Sequence, residues 1–343
     1  MEFISIIYAY GAIAFSFLCF SYLLWSKSAN PKPHIYKAPP EAGGAWPFIG
    51  HLHLMVSGFY SNLPHINLAV VADKYGPVFT IRLGVHRALV VSSSEFAKEL
   101  FTTCDAAVSS RPRLTGAKHL GYNFTMFALS PYGSYWTQMR KLVSAELLSS
   151  RRVELLKNVR VSETVQSVNE LYRLWGEKKD GSGRAMVEMK QWFGDLNLNV
   201  VLRMVAGKRF QGTSADAAEA RQCREVMRNF FHLSGQFVVA DALPYLGWLD
   251  IGGYEKRMKE AAKEFDKLVG EWLVENREKE YFVEGKAKAK ANDFMAVMLS
   301  VVDGADFDGQ HDADTIIKST CGVFDYSLNV IVMGSWGDFA IKT

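Results

Sequence analysis

SPYGSYWTQMRKL, residues 130–142, decides how this chain is read. Trp136 and Arg140 stand four apart, so a helix through the stretch puts an indole N–H and a guanidinium on one face, one turn from each other. Both side chains donate hydrogen bonds and neither accepts one. The pair therefore calls for an anion that the stretch does not itself supply. The plainer alternative packs Trp136 with Met139 and Val143 and pairs Arg140 with a nearby acid.

The surrounding chain has 343 residues, 49% of them hydrophobic and 13% aromatic, which excludes disorder for most of its length and allows a substantial core. A formal net charge of +3, from 39 basic and 36 acidic residues, is too balanced for a surface that neutralises phosphates, so no nucleic-acid partner is expected. Cysteines at 19, 104, 223 and 321 show neither zinc-site spacing nor a disulfide framework, consistent with a reducing compartment. From Phe3 to Trp25 the sequence FISIIYAYGAIAFSFLCFSYLLW carries no charge and is long enough to cross a bilayer as a helix. Residues 1–26 are thus expected to be a transmembrane anchor in contact with membrane lipid. A cleaved signal peptide fits poorly, because a basic leading region and an Ala-x-Ala-like site are missing. Lys27, Lys32 and Lys37 follow closely, and the positive-inside rule puts the body of the chain in the cytosol.

Pro31, Pro33, Pro39, Pro40 and Pro47 make residues 27–50 an extended, stiff hinge. His51 and His53 have no third ligand nearby and read as ordinary loop residues. Apolar spacing from Leu63 to Tyr75, with Pro64 at the start and Gly76-Pro77 at the end, predicts a helix. VFTIRLGVHRALVV alternates and turns near Gly84, which predicts a hairpin. Ser92 and Glu95 form a capping box for a helix through about Phe101. Between Asp105 and Pro131 lies a long loop with apolar side chains to hide, the kind that often binds ligands. Helices are expected at about 153–175, 186–205, 217–231 and 254–280, the last with Tyr254, Met258, Ala261, Phe265, Leu268 and Trp272 on one buried face. EGKAKAKAND is expected to be an exposed loop. The fold class is mainly α with a small β-sheet near the start, in one large domain, since no linker follows residue 50.

Several of these stretches, in this order, resemble the N-terminal part of a plant membrane-bound cytochrome P450: the terminal anchor, GGAWPFIGHLHL, KYGPVFTIRLG, SSRPR, WTQMRK, NVVLRMVAGKRF and ALPYLGWLDIGGYEKRMK. The resemblance runs to about Cys321. It implies an incomplete cytochrome P450 fold behind the anchor, and it implies haem as cofactor. By the same resemblance Trp136 and Arg140 match the residues that donate to a haem propionate, a charge-assisted bond worth about 1.5–3 kcal/mol. The 109–127 loop and the segment from Phe230 to Leu246 would roof the pocket, with Leu120, Phe124, Phe127, Phe231 and Phe237 as candidate substrate contacts. The implied activity is a haem-thiolate monooxygenase of the endoplasmic reticulum membrane, acting on a small apolar metabolite with electrons from NADPH through a reductase.

The family's iron is held by a cysteine in a Phe-x-x-Gly-x-Arg-x-Cys-x-Gly loop, which follows a Glu-x-x-Arg helix and a central helix with an acid and an alcohol. The cysteine-loop pattern occurs nowhere in the sequence, and neither the acid-and-alcohol turn nor a Glu-x-x-Arg helix follows Cys321. Cys321 is preceded by DADTIIKST, which resembles the opening turns of the central helix instead. Residues 51–321 then read as a partial domain and 322–343, GVFDYSLNVIVMGSWGDFAIKT, as an unrelated tail of the kind that a translated intron or frameshift produces. Sequencing transcripts across codon 321 tests that expectation, and a clean in-frame exon would contradict it. No residue is assigned a catalytic or metal-binding role. The alternative to the enzyme is an inactive, unstable membrane-anchored fragment, either without function or binding partners through exposed helices.

Overall fold

A computed structural model describes residues 11, 13, 15, 16, 21, 38–55, 63–210, 214–283, 293–302 and 311–323. Most of the expected anchor and hinge, the EGKAKAKAND loop and nearly all of the 322–343 tail lie outside those residues. Among the described residues no helix is long and apolar enough to cross a membrane. The chain forms two compact units, residues 1–96 and 97–343, and each is described by itself.

In the first unit α1 (Pro64–Tyr75) starts with Pro64 in the first turn and ends where Gly76 takes φ 94. β1 (Val78–Leu83) and β2 (His86–Val91) pair antiparallel in the register Val78↔Val91 to Leu83↔His86, so the hairpin turns at Gly84 and Val85 as expected. Alternation puts Phe79 and Ile81 inward, both essentially inaccessible. The Pro-rich segment is tied down from Pro40 onward: Thr80 N–H donates to Pro40 O and Ala42 N–H to Thr80 O. His51 is buried between them and the strand, its Nδ1 accepting from Arg82 N–H at 3.0 Å and its Nε2 lying 2.9 Å from Ala42 O. It is therefore a structural link rather than an ordinary loop residue. α2 (Ser94–Thr102) follows, and here the expected cap shifts by one residue: the Ser93 hydroxyl accepts from Phe96 N–H, while Ser92 N–H donates to Pro77 O.

In the second unit α3 (Thr115–His119) is a short helix inside the long loop, and α4 (Ser134–Leu142) carries the opening motif. α4 runs on into a π-helical turn at Val143–Leu147. The helix expected at 153–175 is broken at Leu156 into α5 (Ser150–Leu155) and α6 (Lys157–Lys178). α7 (Met189–Ala206) ends on Gly207 in the left-handed conformation, at φ 65. α8 (Ser214–Ser234), α9 (Tyr254–Val283), α10 (Phe294–Val302) and α11 (313–323) follow, with single helical turns at Asp105–Val108 and Val239–Ala242 besides. Asp250 caps α9, its carboxylate accepting from the N–H groups of Glu255 and Lys256 at 2.9 and 3.1 Å. The core joins Met139 and Leu147 to Val201, Leu202 and Val205 of α7, Cys223 and Phe230 of α8, and Met258, Phe265 and Trp272 of α9. Phe230 stacks on Phe265 with centroids 4.1 Å apart, which locks α8 to α9.

Candidate functional site

The site is built on α4. Gly133 enters it with extended backbone, and Thr137 Oγ1–H donates back to Gly133 O at 2.9 Å, which fixes the first turn. Tyr135 and Met139 are buried and hold the helix to the core. That leaves Trp136, half-buried, and Arg140, exposed, on the opposite side. The Arg140 guanidinium lies over the Trp136 ring, 5.0 Å from its centroid, and Tyr132 packs against the same indole at 5.4 Å. Among the described residues neither the indole N–H nor the guanidinium has a hydrogen-bond acceptor or an acidic partner. The plainer alternative, with an acid paired to Arg140, is therefore not what the structure places there. Two donors side by side without an acceptor fit an external carboxylate.

The neighbouring segments are fixed to this helix. Tyr135 O–H donates to Thr125 O at 2.7 Å, and the Tyr135 ring packs on His311 with centroids 4.5 Å apart. Thr125 Oγ1 lies 3.2 Å from His311 Nδ1. Farther along the loop, Asp241 accepts from both Thr115 N–H and Thr115 Oγ1–H at 2.7 Å. The two segments expected to roof a pocket, 109–127 and 230–246, are thus joined by direct hydrogen bonds. Thr115, Tyr135 and Asp241 escaped the sequence reading; only Asp241, a lone acid in FVVADALPYL, left a local signal.

The five apolar candidates sit at different depths. Leu120 is 1% exposed, a core residue, whereas Phe237 is 47% exposed on the surface. Phe127 and Phe231 pack against the core from its edge. Phe124 has a left-handed backbone at φ 70 and lies under the Arg113 guanidinium, 5.3 Å from its ring centroid. Cys223 and Cys321 are buried in helices and Cys104 is exposed. Among the described residues no group of three or more His, Cys, Asp or Glu is placed to hold a metal ion.

Comparison with known proteins follows the same lines. The sequence pattern of the cytochrome P450 family matches residues 39–324. The chain is 62% identical over 312 residues to a flavonoid-6-hydroxylase of Mentha piperita, covering 91% of this chain and 58% of that protein. It is 60% identical to a flavonoid-6-hydroxylase of Ocimum basilicum, covering 94% of this chain and 60% of the relative. It is 54% identical to a strychnine-10-hydroxylase of Strychnos nux-vomica, with 98% and 62% covered. The chain thus spans about three fifths of the length of the curated relatives it matches. A zebra fish cytochrome P450 solved with progesterone shares the fold at a TM-score of 0.54 and 16% identity, over 76% of this chain and 54% of that one. On the family pattern and the identity to these relatives, the chain belongs to the cytochrome P450 family.

Proposed function

We propose that this sequence belongs to a haem-thiolate monooxygenase that hydroxylates a small apolar specialised metabolite, using O2 and electrons passed from NADPH by a reductase at the endoplasmic reticulum membrane. The hydroxylases of flavonoids and strychnine among its relatives support the reaction class. The uncharged run from Phe3 to Trp25 supports the membrane location.

The observation that carries the reading is the pair of donors on α4 with no acceptor of their own. Haem, when bound, supplies iron that activates O2. The residues of this chain hold and orient it: the Trp136 indole N–H and the Arg140 guanidinium donate to a propionate, and the cation over the indole face pre-sets the fork. Tyr135, through Thr125, holds the 109–127 loop against the same helix, and Asp241, through Thr115, closes the second segment over it. Phe124, Phe127 and Phe231 are half-buried, the depth from which a ring touches both the core and a substrate.

A second reading concerns these residues by themselves: a membrane-anchored polypeptide that does not catalyse. It is favoured by the setting of Cys321, buried inside α11 rather than in a loop of the thiolate pattern. Reduced-plus-carbon-monoxide difference spectra of microsomes separate the two. Microsomes carrying the sequence continued through the remaining length of the Mentha relative are expected to show the thiolate-haem band, and those carrying these residues alone are not. No haem in the continued chain would contradict the first reading, and a thiolate band from these residues alone would contradict the second.

A further inference from the structure

A surface helix of a globular protein carries one apolar stripe, turned toward the core. α6 (Lys157–Lys178) carries a second one on its outer side. Inward, Val159 packs against the core, and Glu163 and Ser167 are buried. Glu163 takes Arg203 of α7 and Arg209, and the Ser167 carbonyl accepts from Trp192 Nε1–H at 3.3 Å. On the opposite side lie Val161, Val165, Val168 and Tyr172, which are 53%, 55%, 48% and 70% exposed. Ion pairs hold the helix to its own unit and leave this apolar row uncovered.

The row itself says what kind of partner fits. Its steps of four, three and four residues are those of a coiled-coil seam, and they read the same from either end. Laid antiparallel on a second copy, Val165 meets Val168 and Val161 meets Tyr172, and the two-fold axis repeats each contact. Ser162, Thr164 and Asn169 border the row, so it presents no charge for a lipid headgroup or a charged partner to complement. Charged residues near its ends are paired within the copy, Lys157 with Glu154 at 3.2 Å and Arg173 with Glu177 at 3.8 Å. The exposed surface of the four side chains is roughly 400 Å², the size of the largest apolar patch on a typical monomer, which is often functional. Two such rows bury about 800 Å² together, below the ~1,200 Å² of a stable interface, so the pair is a weak one that forms where copies are concentrated.

We propose that the outer side of α6 is a self-association face, on which two copies of this chain pair antiparallel through Val161, Val165, Val168 and Tyr172. Sedimentation equilibrium of the full chain in a density-matched detergent tests this. The parent is expected to pass from monomer to dimer at roughly 10–100 μM. Val165→Asp and Val165→Lys should each weaken the dimer at least tenfold, because each brings two like charges together across the two-fold axis. An equimolar mixture of the two variants should recover the dimer, which association through residues 1–26 alone would not produce. Val165 is exposed, so neither substitution is expected to lower the melting temperature of the monomer. No dimer in the parent, a dimer of equal strength in either variant, or no recovery on mixing would overturn the proposal. So would a lowered melting temperature, which would mean that the row packs within its own copy. A chain continued through the remaining length of the Mentha relative that stays monomeric under the same conditions would assign the row to the added length and overturn it as well.

Discussion

Two arginine clusters in the second unit behave in opposite ways. Where α6 meets the end of α7, Glu163 is 1% exposed and receives both Arg203 and Arg209, the latter at 2.8 Å, while Arg209 reaches Glu170 at 2.8 Å as well. On α4, Arg140 has an indole beneath it and no acid among the described residues. A structural arginine brings its anion with it in the fold, because a buried charge without a partner is destabilising. An arginine that stays at the surface beside a second donor is stable alone and ready for an anion from outside. The contrast separates an arginine built into the fold from one left open for the proposed propionate.

The contrast can be broken most forcibly at Glu163. Replacing it with Ala leaves Arg203 only the Ser162 hydroxyl and Arg209 only Glu170, and denaturant unfolding should show a loss of about 3 kcal/mol. Arg140→Leu should leave that unfolding curve within about 0.5 kcal/mol of the parent, since it forgoes only a surface cation–π contact. The same substitution should weaken retention of haem by about tenfold, as should Trp136→Phe, read by titration with haem.

A smaller effect lies at Asp293, whose carboxylate caps α10 by accepting from Ala296 N–H at 2.9 Å. Asp293→Ala should cost about 1 kcal/mol and Asp293→Asn much less, because Asn keeps the acceptor. Burial raises the Asp293 pKa above its ordinary value. A folded-state pKa above the unfolded one means that the folded chain holds the proton more tightly. This group's favourable contribution is thus fully present below the ordinary carboxylate pKa and is lost as pH rises through the folded value, and the parent-minus-Asn difference should follow that sign. Smallest of all, Phe237→Ser on the surface should change stability by less than about 0.5 kcal/mol.

Periodicity made the helical framework legible. The apolar positions Met258, Ala261, Phe265 and Trp272 are buried as their spacing on α9 requires, and Pro64 and Gly76 bound α1. The break at Leu156 was hidden, because the apolar pattern continues through it while the backbone does not. α10, Phe294–Val302, is apolar nearly all round, so it has no amphipathic signature to find. The role of His51 depends on partners nine and thirty-one residues away, Ala42 and Arg82, which no local pattern reveals. Trp136 and Arg140 were visible as a pair because their spacing is local. Thr115 and Asp241, 126 residues apart, were not.

The most direct measurement compares haem with its dimethyl ester, in which both propionates are neutral, in titrations of the full chain and of Arg140→Leu. If Trp136 and Arg140 await a carboxylate, the parent chain should bind haem at least tenfold more tightly than the ester, and the variant, with only Trp136 left to donate, should lose about tenfold of that preference. Equal affinity of the parent for the two porphyrins would contradict that assignment.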